Sequence, residues 1–65
     1  MSYNDFISTL HELKFLDSVA KTFSDKFSRF EFYMNTANKY FFSKDKREQA
    51  LFSFCFQRAV SCIVD

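Results

Sequence analysis

The sequence predicts an all-α protein built as a small three-helix unit. Three observations carry that expectation. The chain contains 0 Gly and 0 Pro. Tight hairpin turns of the primed types need positive φ, which glycine supplies at least cost, and a sheet protein of this size would need several of them. Apolar residues recur at spacings of three and four over most of the chain, as on one face of a helix. A length of 65 residues bounds the architecture to one domain, 1–65, with only one or two connections to make.

The first helix is expected from about Tyr3 to Lys14. Ser2 and Asp5 have the spacing of a capping box, and Phe6, Leu10 and Leu13 form its stripe, with Ile7 beside it. The second is expected from Asp17 to Phe42. Its stripe is Ala20, Phe23, Phe27, Phe30, Met34, Ala37 and Phe41, in unbroken alternation of three and four. Asp17, Lys21, Asp25 and Arg29 follow one another at intervals of four with alternating sign, a ladder that supports a solvated helix face. Continuing the first stripe straight on would place Asp17 among apolar residues and Phe15 among polar ones. A break near Phe15 to Asp17, with Asp17 as N-cap, removes the conflict. The alternative is a helical hairpin in which the first two stretches are continuous. The third helix is expected from Lys46 to Ile63, capped by Asp45, with Phe52, Cys55, Phe56, Ala59 and Ile63 as its stripe and Leu51, Val60 and Cys62 on its flanks. Phe30-Glu31-Phe32 and Phe52 to Phe56 also alternate like strands, but each lies inside a longer helical pattern without turn signals at its ends.

Charge and cysteine content narrow the function. A formal net charge of +1 fits neither an acidic mimic of nucleic acid nor a strongly basic coat protein. No apolar run approaches the about 18 residues of a membrane span, and Met1 to Asp5 lacks the basic start of a signal peptide, so a cytoplasmic location is the expectation. Cys55 and Cys62 on one helix lie about 10 Å apart along its axis, too far for a disulfide, and read as two apolar thiols. With His11 they lack the paired spacing and the fourth ligand of a zinc site. No nucleophile–base pair or phosphate loop stands out, so no enzyme, metal or cofactor is expected.

Phe count, by contrast, points outward. Eleven Phe are more than a three-helix core can enclose, so some are expected to face a second subunit, as a homodimer, or another protein. Phe32, near Arg29, Thr36 and Lys39, and Phe54, near Arg47, Gln57 and Arg58, fall off their own stripes, and Phe15 behaves likewise. Phe15, Phe32, Phe54 and Arg58 are therefore the candidate partner-binding residues. The expected function is a non-catalytic protein–protein interaction module, a regulator or inhibitor of a cellular protein. The alternative is a small DNA-binding regulator that uses Lys39, Lys44, Lys46 and Arg47 around the second connection, where a helix–turn–helix reader presents its basic residues. In its small size and its Phe- and Lys-rich helical character the chain resembles accessory proteins of phages and plasmids.

Overall fold

The computed structural model describes residues 2–64; Met1, which opens the N-terminal segment considered above, and Asp65 lie outside them. Three helices pack together, α1 Tyr3–Ala20, α2 Lys26–Lys39 and α3 Lys46–Ile63, and no strand occurs among the described residues. The two stretches that alternate like strands lie within α2 and α3. Alternation there reflects aromatic residues on neighbouring helix faces.

α1 starts where its capping signal sits. The Ser2 hydroxyl accepts from the Asp5 amide at 3.2 Å. The expected break at Phe15 to Asp17 does not occur: α1 runs through it to Ala20. The conflict that suggested a break is resolved by tertiary partners. Asp17 does turn inward, where its Oδ1 accepts from the Tyr33 hydroxyl at 2.5 Å and from Arg58 Nε at 2.9 Å. Phe15, on the other side, remains 58% exposed.

The chain turns instead at Lys21 to Asp25. Thr22 donates its hydroxyl to the Val19 carbonyl at 2.6 Å, which ends α1. Asp25 then caps α2 by accepting from the Ser28 amide at 3.0 Å. Arg29 ties the two ends together through a bond to the Phe23 carbonyl at 2.7 Å. Thr, Ser and Asp compete for backbone groups in this way, so they can end a helix without glycine or proline. The single helix expected from Asp17 to Phe42 is therefore two pieces, and Asp17 is no N-cap.

This turn resets the helical phase, which moves the core. On α2 the inward residues are Phe30, Tyr33, Thr36 and Ala37, and Phe27, expected in the stripe, is 61% exposed. On α3 the buried residues are Leu51, Cys55 and Ala59, so Leu51 lies on the buried face rather than on a flank. Thr9 and Leu13, not Phe6, form the buried face of α1 together with Ala20. α3 turns back along α2: Phe41 meets Phe52 near their connection, while Tyr33 and Arg58 meet at Asp17 further on. α2 and α3 are in the closest contact, and α1 lies against the pair.

The central cluster is Ala20, Tyr33, Ala37, Cys55 and Ala59. Four of these five are small, so the helices approach closely and leave little room for rings. Phe30, Phe32 and Phe52 pack around the cluster. Seven of the eleven Phe, at positions 6, 15, 23, 27, 41, 42 and 56, remain exposed.

Both cysteines are free and both lie on α3, as the shared-helix expectation required. Cys55 is fully buried, and burial, followed by the nearby Asp17 carboxylate, pushes its thiol pKa from 9.0 up to about 11. An unfolded chain gives up that proton at lower pH than the folded one. Stability from this group is thus present below about pH 9 and declines as pH rises toward 11. Melting temperature is expected to fall over that window and to fall less steeply in Cys55→Ala. Tyr33 adds to the decline in the same direction, since burial and then its bond to Asp17 also raise its pKa. Ellman's reagent should label the half-buried Cys62 in native protein and Cys55 only after denaturation.

Candidate functional site

The turn between α2 and α3 presents a row of rings. α2 ends at Tyr40, and Phe41 and Phe42 follow before α3 begins. The rings of Phe41 and Phe42 meet edge to face, their centroids 4.6 Å apart. Phe41 continues to Phe52 at 5.4 Å and Phe52 to Phe56 at 6.2 Å. Phe42 is 88% exposed, and Phe41 and Phe56 are about half exposed. Four rings thus run from the connection onto the first three turns of α3. Such pairs gain stacking energy beyond their burial, and an exposed cluster of them is a typical protein contact surface.

Backbone and side chains fix this turn firmly. The Ser43 hydroxyl donates to Glu48 Oε1 at 2.5 Å and accepts from the Asp45 amide at 3.1 Å. Gln49 Nε2 donates to the Ser43 carbonyl at 3.2 Å, and Asp45 caps α3 through the Arg47 amide at 2.8 Å. Tyr40 reaches α1, where its hydroxyl donates to Glu12 Oε1 at 3.3 Å; burial and then Glu12 raise its pKa. A surface held in one arrangement before binding loses less entropy when a partner arrives.

The residues singled out from sequence are placed differently. Phe32 is half-buried against the core cluster, 5.8 Å from the Phe23 ring and 5.5 Å from Tyr33. Phe54 is half-buried on α3, and Phe15 stands exposed on α1. Arg58 is engaged with Asp17. No ring contact or ion pair among the described residues joins one of these four to another. Lys39, Lys44 and Lys46 are exposed and Arg47 is half-buried, with Asp45 and Glu48 interleaved among them. Phe41 and Phe42 lie inside that same segment. His11 is exposed on α1, and no group of metal-ligating side chains occurs among the described residues.

Sequence reasoning missed the ring row, although a signal existed. Phe41 and Phe42 are adjacent, and consecutive residues at a helix end cannot both face the core. Placed before the polar stretch Ser43 to Arg47, one of them had to face solvent.

No protein-family model, no curated protein and no solved structure matches the chain. No helix among the described residues is long and apolar enough to cross a membrane.

Proposed function

We propose that the protein is a non-catalytic interaction module that grips another protein through the ring row Phe41, Phe42, Phe52 and Phe56, acting as a regulator or inhibitor of that protein. The observation that carries this reading is a run of four contacting rings, three of them exposed and Phe52 half-buried beneath them, beside a turn already fixed by hydrogen bonds. Phe52 anchors the row by packing against the core cluster, while Phe41, Phe42 and Phe56 stand outside it, and interface hot spots are rich in aromatics. A second copy of the chain would bury the same rings, so a homodimer and a complex with the partner compete for one surface.

Nucleic-acid binding by Lys39, Lys44, Lys46 and Arg47 is the second reading. It shares the same end of the molecule, where three of these cations are exposed. Asp45 and Glu48 dilute the charge there, so the protein partner stands first. An affinity pull-down with mass spectrometry separates the two. Wild-type bait is expected to retain a protein that Phe42→Ser and Phe56→Ser lose, with helix content unchanged by circular dichroism. Lys44→Glu and Arg47→Glu are expected to keep it. Steeply salt-dependent duplex binding that the charge reversals abolish and the Ser variants spare would instead establish the second reading.

A further inference from the structure

At the opposite end from the ring row, the turn between α1 and α2 borders an open cleft of about 480 Å³. All three helices line it: Asp17 and Lys21 from the end of α1, Lys26 and Arg29 from the start of α2, and Arg58 from α3, with Ser61 beside it. Among the described lining residues, four cations and one carboxylate give a formal charge of +3, while the whole chain carries +1. Excess positive charge is thus gathered in one concavity.

Two of the cations are held in place. Arg58 spends its Nε–H on Asp17, and Arg29 spends one N–H on the Phe23 carbonyl. A guanidinium has five N–H donors, so each of these bonds anchors the group and uses only one. Asp17 accepts from both Tyr33 and Arg58, which ties up the one carboxylate among the described residues that line the cleft. Lys26 lies 5.5 Å from the centre of the Phe27 ring. Two anchored guanidinium groups on the walls of one cleft, with lysines beside them, suit the oxygens of a phosphate chain, which carries several charges over a short length. The volume lies within the range of small-molecule sites, roughly 300–1,000 Å³.

We propose that this cleft binds a small polyanion through a diphosphate group. The inference does not depend on what the ring row binds. Isothermal titration of the full chain with inorganic pyrophosphate tests it, with ADP and inorganic phosphate as further arms. Pyrophosphate is expected to saturate at one per chain, and phosphate to bind at least about tenfold more weakly, since a single group meets fewer of the cations. ADP binding as tightly as pyrophosphate, or tighter, assigns the diphosphate to a nucleotide; weaker ADP binding assigns it to a bare phosphate chain. Lys21→Glu is expected to weaken pyrophosphate binding by about tenfold or more. Lys26→Gln should weaken it less, and Lys44→Glu, at the far end, should leave it within about twofold. Phosphate binding as tight as pyrophosphate, failure to saturate, or equal sensitivity to Lys21→Glu and Lys44→Glu would overturn the proposal. So would indifference to both Lys21→Glu and Lys26→Gln, provided circular dichroism shows both variants folded.

Discussion

Leu51→Ala is expected to leave the protein largely unfolded at 37 °C. Leu51 is 2% exposed and is the largest apolar side chain among the buried residues of α3. Truncating a buried leucine removes its transfer energy and leaves a cavity, a loss of about 2–5 kcal/mol. A single small core of this size rarely supplies more than about 3–5 kcal/mol in total. The neighbours cannot easily collapse into the space, because Cys55 and Ala59 along the same face are small and already fully buried. Phe27→Ala is the contrasting variant. Although a phenylalanine in an apparently continuous apolar stripe reads as core, its ring is 61% exposed, and its removal should stay within about 0.5 kcal/mol. Urea denaturation followed by circular dichroism measures both. The opposite ranking would mean that α2 has the phase expected from the uninterrupted stripe.

The second large effect is expected at Asp17. One carboxylate oxygen joins α1 to Tyr33 of α2 and to Arg58 of α3. Asp17→Ala leaves the mostly buried Tyr33 hydroxyl without this acceptor, at a cost of about 1–3 kcal/mol. The ion pair itself adds little, since the Arg58 side chain is 46% exposed and water screens it. Asp17→Asn, which keeps an acceptor and loses the charge, should therefore cost clearly less than Asp17→Ala. The damage should also be local. α1 has fewer contacts with the rest than α2 and α3 have with each other. Amide hydrogen exchange is expected to accelerate in α1 while α2 and α3 keep their protection. Tyr33→Phe should remove most of the difference between Asp17→Ala and wild type if the hydroxyl bond is the main term.

How much of this was legible in the sequence follows from where each signal is local. α3 runs from Lys46 to Ile63 as expected, because Asp45 is a cap and the periodic run behind it is uninterrupted. The start of α1 was equally readable from Ser2 and Asp5. The turn at Lys21 to Asp25 was not. It has neither Gly nor Pro, and the intervals of four from Asp17 to Arg29 imitate one solvated helix face. The four residues in fact do different work: Asp17 holds Tyr33 and Arg58, Asp25 caps α2, and Arg29 anchors the Phe23 carbonyl. Moving that turn changes the phase of the residues before it relative to α2; within α2, the buried face is centred between Tyr33 and Ala37, roughly a quarter turn from Phe27, which leaves that ring at the edge. The surplus of rings was evident from composition. Which rings face outward was not, because that depends on how closely Ala37, Cys55 and Ala59 let α2 and α3 approach. Phe32, expected outside, covers the core edge, and Phe41, Phe42, Phe52 and Phe56 form the row.

The proposal that the ring row is the binding surface is tested most directly by the ring signals themselves. Protein carrying 13C-labelled phenylalanine can be titrated with the captured partner and followed by NMR. Shifts or broadening are predicted for Phe41, Phe42, Phe52 and Phe56, with Phe6, Phe15 and Phe27 unchanged at the same partner concentration. Perturbation centred on Phe15 and Phe27, with the four rings of the row unmoved, would contradict the account.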